Sequence, residues 1–202
     1  MDSKDHMKDY EMQFTISPIT DEIKKRIWNI SYKADADLSL SELSYLKIPY
    51  FNFSSEVCIG ELIVNSRIAQ DTICVFKELF SIRYPIEKMV LIDAYGADDI
   101  LSMTDNNSSA FNYRYIDSTT ILSNHSKGLA IDINPLYNPY IKMVDNKERI
   151  LPIEGSAYTD RTKDHPYYIK KNDACYNIFL KYGFTWGGDW TDSKDYQHFE
   201  HL

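Results

Sequence analysis

The most informative stretch of this chain is Ser123-Asn124-His125-Ser126-Lys127-Gly128-Leu129-Ala130-Ile131-Asp132. It contains two residues of metal-binding type, His125 and Asp132, on either side of a glycine and a short apolar alternation. If the alternation is a strand, its odd positions are buried, and Ala130 and Asp132 turn to the opposite face. Gly128 allows the backbone to bring His125 back toward that face, where the small Ala130 leaves room for an ion. The stretch therefore predicts part of a metal site.

A second histidine follows near the end of the chain, in Asp195-Tyr196-Gln197-His198-Phe199-Glu200. His198 completes a His/Asp/His set with His125 and Asp132. Three such ligands and an open fourth position are typical of catalytic zinc sites, whereas structural zinc sites usually have four protein ligands. We expect one zinc ion per chain, with His201 as the alternative to His198.

Two separated motifs carry a family resemblance: Ser123-x-His125-x-x-Gly128-x-Ala130-x-Asp132, and Trp186-Gly187-Gly188-Asp189-Trp190 followed by Asp195-x-x-His198-Phe199-Glu200. Together they resemble the VanY-like D-alanyl-D-alanine carboxypeptidases, a zinc peptidase family that includes L-alanyl-D-glutamate endopeptidases. The resemblance covers about residues 60–200, including 107–114 and 134–135. It implies a hedgehog/D-Ala-D-Ala-peptidase-like fold.

The resemblance also implies a role for each site residue. His125, Asp132 and His198 bind zinc, which lowers the pKa of bound water from about 15.7 to about 7. Asp195 is the general base that takes the proton of the water and passes it to the leaving amine. Arg114, which is always charged, steadies the negative oxygen that develops on the substrate.

Three further residues are expected to support the site: Ser123 by a hydrogen bond, Trp190 as either a core aromatic or a cleft wall, and Glu200 beside the ligand His198. A regular strand would turn Asp195 and His198 to opposite faces, so the implied role of Asp195 requires a bend or bulge before His198. If the segment is straight, Glu200 is the alternative base. An Asp at this position makes the chain resemble the carboxypeptidase-like endolysin branch more than the dipeptidase branch.

Elsewhere the pattern predicts short helices and strands. Capping residues and apolar spacing predict three helices, which begin near Thr20, at Asn65 or Ser66, and at Asn172. Residues 89–92 are predicted to form a buried strand, and residues 96–109 a polar loop in which Asp98 and Asp99 face solvent unless the loop folds over the metal. The mixture predicts an α+β fold with a small antiparallel sheet flanked by helices.

Length and charge limit the possible classes. The 202 residues suit a single domain over 18–202, after a polar N-terminus, 1–17, that is expected to fray. A net charge of -8, from 22 basic and 30 acidic residues, makes nucleic acid an unlikely partner. No apolar run predicts a signal peptide or a membrane span. Cys58, Cys74 and Cys175 are predicted to be free thiols packed in the core.

The predicted activity is hydrolysis of peptide bonds in peptidoglycan stem peptides, which implies action in the cell envelope or outside the cell. The residues leave open whether a terminal D-alanine is removed or an L-alanyl-D-glutamate bond is cut. A carboxypeptidase needs a cation or a nest of backbone N–H groups for the terminal carboxylate, and Lys127 is one candidate cation. The alternative function is a non-catalytic wall-binding or structural domain that retains the peptidase fold.

Overall fold

The structure, a computed structural model, describes residues 10–116 and 119–201. Short strands and helices alternate in this part of the chain, as expected for an α+β fold. The helices are α1 (Asp21–Ile27), α2 (Ala69–Ser81), α3 (Asp99–Thr104) and α4 (Ala174–Lys181). The strands are β1 (Thr15–Pro18), β2 (Leu43–Phe51), β3 (Val57–Asn65), β4 (Ala130–Asp132), β5 (Tyr140–Val144), β6 (Lys147–Leu151), β7 (Thr185–Trp186), β8 (Ser193–Asp195) and β9 (His198–Glu200).

The strands form three antiparallel sheets of three strands each, in the orders β1-β2-β3, β4-β9-β7 and β6-β5-β8. The predicted α+β class with antiparallel pairing is therefore confirmed, although the strands divide among three small sheets. None of the described helices is long and apolar enough to cross a membrane.

The central strand β2 is buried on both faces except at Lys47, as is β3 from Leu62 to Val64, so these segments read as almost continuous apolar runs. Alternate residues such as Leu46 and Ile48 pack in the cluster that includes the apolar face of α2. Tyr45 and Ile63 point the other way, into the cluster that includes α1. Strand β1 pairs only with Ser44 to Lys47 of β2, so Pro49 has no neighbouring strand on that side. The N–H that proline lacks is therefore not required by β1, and Pro49 is tolerated in β2.

Two of the predicted helices hold the sheets together. Asn65 accepts a hydrogen bond from the backbone of Arg67 and starts a short 3-10 turn that leads into α2, as predicted. The last helix starts one residue later than expected. Asn172 has a left-handed backbone (φ 66°), and the capping side chain is that of Asp173, which accepts from the backbone of Tyr176.

The N-terminal segment is more ordered than expected over the residues that are described. The expected frayed segment was 1–17, of which residues 1–9 lie outside the described part of the chain. Residues 15–18 form β1, and the buried Phe14 packs edge-on against Phe80 of α2. This aromatic contact explains why the segment joins the first sheet.

The strand predicted at residues 89–92 is absent, and this prediction was wrong. The chain runs extended to Leu91 and then enters a 3-10 helix, Ile92–Tyr95. The side chain of Asn107, rather than a neighbouring strand, pairs with both backbone groups of Val90. The predicted loop 96–109 also contains α3, which is capped by Asp98.

Candidate metal site and active-site cleft

His125 lies on a short 3-10 turn, Asn124–Lys127, whose two ends are set by neighbouring residues. Ser123 caps the start, and its hydroxyl accepts a hydrogen bond from the backbone N–H of His125 at 3.3 Å. Gly128 ends the turn in the left-handed region, with φ 67°. A Cβ at Gly128 would lie 2.6 Å from the backbone nitrogen of Asn65, so glycine also allows the turn to pack against the end of β3.

Asp132 and His198 face each other across a strand pair. The register of β4 and β9 places them directly opposite one another, at the end of the ladder. On the other edge of β4, the backbone of Asp132 forms two hydrogen bonds with the backbone of Ser109. His125, Asp132 and His198 are all buried, with exposed fractions of 3%, 5% and 5%. The structure thus brings the three predicted ligands together from three separate segments.

The atoms that these residues present fit a metal ion. The Nδ1 atom of His125 lies 2.5 Å from the carbonyl oxygen of Ala110, so this nitrogen carries the proton and Nε2 is left with a lone pair in the neutral ring. His198 uses Nε2 to contact Glu200 at 3.3 Å, which leaves Nδ1 for the same central point.

The spacing of these atoms is also suitable. The two histidine nitrogens are 3.2 Å apart, and each lies 3.1 Å from an oxygen of Asp132. Ligand atoms at about 2.0–2.1 Å from a tetrahedral zinc ion are separated by roughly 3.3 Å. Among the described residues these three form the group whose ligand atoms all lie within 4.8 Å of one another.

The electrostatics of the group favour a bound positive charge. Burial opposes ionisation of Asp132, yet contacts with His125 and His198 hold the pKa of Asp132 well below its usual range. Burial lowers the pKa of His198, but the hydrogen bonds to Asp132 and Glu200 outweigh it and raise that pKa to about 10. Asp132 is thus held as an anion, the form that binds a cation, and a metal ion would replace the proton of His198.

Asp195 lies at the end of β8, and the chain then bends through Tyr196 and Gln197 before β9 begins at His198. The bend is held by the indole N–H of Trp186, which donates to the carbonyl of Tyr196 at 2.9 Å. Asp195 and His198 therefore line the same cleft although they are three residues apart, as the expected bend requires. Because β8 and β9 belong to different sheets, the segment does not run straight from Asp195 to His198.

The Asp195 carboxylate is suited to accept a proton. Burial raises the pKa of Asp195 to about 7, partly offset by the nearby His198. Its Oδ1 atom is buried without a hydrogen-bond partner among the described residues. Gly187 permits this placement, because a Cβ there would lie 2.7 Å from the Asp195 carbonyl oxygen.

Arg114 lines the cleft and is paired with a carboxylate that we had expected to face solvent. Its Nη2 lies 2.8 Å from Oδ2 of Asp99, the first residue of α3. The backbone of Arg114 is held by Ser126, whose hydroxyl contacts both its N–H and its carbonyl. Asp98 is exposed as expected, whereas Asp99 follows the stated exception, because α3 turns its side chain toward the cleft that contains the candidate ligands.

Ser123, Trp190 and Glu200 also line the cleft. Glu200 accepts hydrogen bonds from His198 and, at 2.6 Å, from the side-chain amide of Asn124. The half-buried Trp190 lies with its ring 5.3 Å from that of His198. Glu200 is thus engaged in orienting His198, whereas one oxygen of Asp195 has no hydrogen-bond partner among the described residues.

The cleft has a volume of about 440 Å³ and contains residues that the sequence did not single out. These are contributed mainly by the third sheet and by α3: Met103, Tyr140, Lys142, Arg149, Leu151 and Gln197. The strand register of the small sheets brings these residues to the cleft. The sequence indicated one of them, Gln197, because it lies inside the second motif.

Three residues considered as possible site members lie elsewhere. His201 packs against Phe184 and is not part of the metal-ligand group. His165 stacks on Tyr137 within a cluster of aromatic rings. Lys127 contacts Asn124 at 3.4 Å and does not line the cleft.

Comparison with known proteins agrees with the family resemblance. Residues 117–201 match the family model described as D-alanyl-D-alanine carboxypeptidase. No curated protein and no solved structure matches the chain. The matched residues include His125, Asp132, Asp195 and His198, whereas Arg114 and Asp99 precede them. The C-terminal part of the chain, residues 117–201, is therefore similar to the D-alanyl-D-alanine carboxypeptidase family of peptidases.

Proposed function

We propose that this chain is a zinc-dependent peptidase that hydrolyses peptide bonds in the stem peptides of peptidoglycan. The observation that carries the proposal is the convergence of His125, Asp132 and His198 on one point in a cleft that also contains Asp195 and Arg114. The family match over residues 117–201 supports the substrate class. The small antiparallel sheets around this cleft also support a fold of the hedgehog/D-Ala-D-Ala-peptidase type.

The proposed metal is zinc, one ion per chain, held by His125, Asp132 and His198. Two imidazoles and one carboxylate suit zinc, and no cysteine takes part in the group. When bound, zinc supplies a Lewis acid that polarises the substrate carbonyl and acidifies water.

The other residues of the cleft would handle protons and charge. Asp195 takes the proton of the attacking water on its unpartnered Oδ1 and later delivers it to the leaving amine. Arg114 directs its guanidinium toward the oxygen that becomes negative in the transition state. Glu200 and Ser123 keep His198 and His125 in position, and Trp190 forms a wall beside the substrate.

Two reactions are consistent with this arrangement. The enzyme would act either as a carboxypeptidase on a terminal D-alanine or as an endopeptidase on the L-alanyl-D-glutamate bond. Both substrates belong to the cell envelope, where the enzyme would meet them.

The test is to incubate zinc-loaded protein with muropeptides and identify the released fragments by mass spectrometry. Loss of a single alanine indicates the carboxypeptidase, and cleavage after the first stem residue indicates the endopeptidase. Chelation should stop either reaction, and added zinc should restore it. Protein that binds muropeptides without releasing any fragment would contradict the proposal and favour a non-catalytic wall-binding domain.

A further inference from the structure

The third sheet turns one face toward the cleft, and its residues lie there in rows across three strands. The central strand is β5, paired with β6 on one side and β8 on the other. The register defines two neighbouring rows: Leu151–Tyr140–Asp195 and Arg149–Lys142–Ser193. Residues two apart in a strand share a face, so the rows lie about 7 Å from each other. The second row is thus one step along the sheet from the proposed base.

This second row places two positive charges side by side. Lys142 and Arg149 are direct partners in the register, and both line the cleft. Glu148 of the same hairpin pairs with Met143 and does not line the cleft. The hairpin therefore presents two cationic side chains to the cleft.

Apart from this row, the cleft is lined by the carboxylates of Asp99, Asp195 and Glu200 and by one further arginine, Arg114, which is paired with Asp99. The chain as a whole carries 30 acidic and 22 basic residues. Lys142 and Arg149 would therefore attract a substrate carboxylate that these acidic side chains oppose. Charge of this kind selects between substrates and orients them.

We propose that Lys142, together with Arg149, binds a carboxylate of the substrate close to the bond that is cut. This inference rests on the proposed function and specifies its substrate. A separation of about 7 Å corresponds to roughly two residues of extended peptide at about 3.3–3.6 Å each, so the carboxylate belongs to the residue after the scissile bond or to its neighbour. Two sources have this chemistry: the terminal carboxylate of a D-alanine and the α-carboxylate of a D-glutamate linked through its side chain.

Binding of matched peptide pairs would test the inference. One pair is an acetylated D-alanyl-D-alanine peptide with a free terminal carboxylate and the same peptide as its carboxamide. The other is an L-alanyl-D-glutamyl peptide with the α-carboxylate free or amidated. Affinities are measured by calorimetry on zinc-loaded protein carrying Asp195→Asn, so that turnover does not consume the probes. Cleavage by the unmodified protein is measured separately.

We expect the free acid of one pair to bind about ten- to a hundredfold more tightly than its amide, as for a hydrogen bond to a charged group. The pair that shows the preference identifies the source of the carboxylate. Adding Lys142→Met should remove most of the preference and leave the affinity for the amide unchanged. Lys142→Arg should keep the preference, and Lys127→Met, a lysine outside the cleft, is the matched control.

Equal binding of acid and amide in both pairs would overturn the inference, as would a preference that survives Lys142→Met. Failure of the proposed function looks different. In that case the unmodified protein cleaves none of the four peptides, while the comparison of acid and amide affinities still decides the role of Lys142.

Discussion

Each histidine presents one ring nitrogen to the cleft because its other ring nitrogen is hydrogen-bonded to a neighbouring residue. The Ala110 carbonyl occupies Nδ1 of His125, and the Glu200 carboxylate occupies Nε2 of His198. These contacts fix the orientation of each ring as well as its tautomer, which preorganises the group for a metal. The two histidines therefore use different nitrogens for the same purpose.

The first prediction concerns the metal. Purified protein should contain one zinc ion per chain by elemental analysis, and His125→Ala should lower zinc affinity by more than a hundredfold because one of three ligands is removed. His201→Ala is the matched control, since His201 directly follows β9 and lies outside the ligand group. Equal zinc affinity in the two variants would contradict the assignment.

The second prediction separates Asp195 from Glu200. Asp195→Ala should retain zinc but lose about a hundred- to ten-thousandfold in turnover, because a general base contacts the water rather than the metal. Glu200→Ala should keep substantial activity, since this carboxylate only orients His198. Turnover and zinc content are measured for both. An active Asp195 variant beside an inactive Glu200 variant would make Glu200 the base.

The third prediction concerns Arg114. Arg114→Ala should lower kcat by more than it raises KM, because a donor directed at the developing oxyanion acts mainly in the transition state. Steady-state kinetics on the peptide identified by mass spectrometry provides both constants. A variant with unchanged kcat and a raised KM would instead make Arg114 a binding residue for the ground state.

At the scale of elements, the 3-10 turn that carries His125 depends on a close approach between two backbones. Gly128 has no side chain that would block this contact. Its carbonyl oxygen accepts a hydrogen bond from the Asn65 N–H at 2.8 Å. The contact joins the metal site to the point where β3 ends and the chain turns toward α2. The position of the first ligand is thus coupled to the first sheet.

The fourth prediction follows from this contact. Gly128→Ala should destabilise the protein by about 2 to 4 kcal/mol, through left-handed strain together with the overlap of the new Cβ and the Asn65 backbone. Gly96→Ala is the control, because Gly96 has nearly the same φ, 64°, but open space around its Cβ position. That variant should lose only about 1 to 2 kcal/mol. Urea unfolding measures both, and equal losses would show that the close approach is unimportant.

At the scale of the whole molecule, the outer helix α1 is tied to the first sheet by a charged contact. Both Nη atoms of Arg26 bind the carboxylate of Glu61, at 2.7 and 2.8 Å, and Tyr45 donates to the same carboxylate. The hydrogen bond from Arg26 is the main reason why the pKa of Glu61 is lowered, against the opposing effect of burial. A carboxylate with a lowered pKa stabilises the fold when it is ionised.

The fifth prediction is the pH dependence of this contribution. It should be fully present above the unfolded pKa of about 4.5 and disappear as the pH falls through the lower folded value. Glu61→Gln should therefore cost about 1 kcal/mol at pH 7, a value reduced by the partial exposure of Arg26. The difference between the two proteins should vanish in urea unfolding at strongly acidic pH. A difference that stays constant with pH would show that ionisation of Glu61 is irrelevant.

Local patterns were enough to predict several parts of this protein. The α+β class and the helix α2 with its cap at Asn65 follow from short-range spacing. So does the resemblance to a peptidase family, which was expected over about residues 60–200 and is matched over 117–201. Caps and apolar stripes act within a few residues, so they can be read directly from the chain. The His/Asp/His set was also visible, because its residue types are chemically distinctive.

Other features depended on contacts between distant segments. The first sheet was not predicted, because its central strand β2 is buried on both faces and lacks the alternation of a half-exposed strand. Residues 89–92 were predicted as a strand, but both backbone groups of Val90 pair with a side chain, that of Asn107.

The sequence by itself determined the chemical types of the site residues, and the tertiary structure decided which of them meet. Asp99 reaches Arg114 because α3 turns toward the cleft, and Lys142 lies one row from Asp195 because β8 pairs with β5. Such neighbours are set by strand register and helix placement, which depend on the packing of the whole chain. Spacing along the sequence does not predict these contacts. Residues far apart in the chain are brought together only when the shared core is buried.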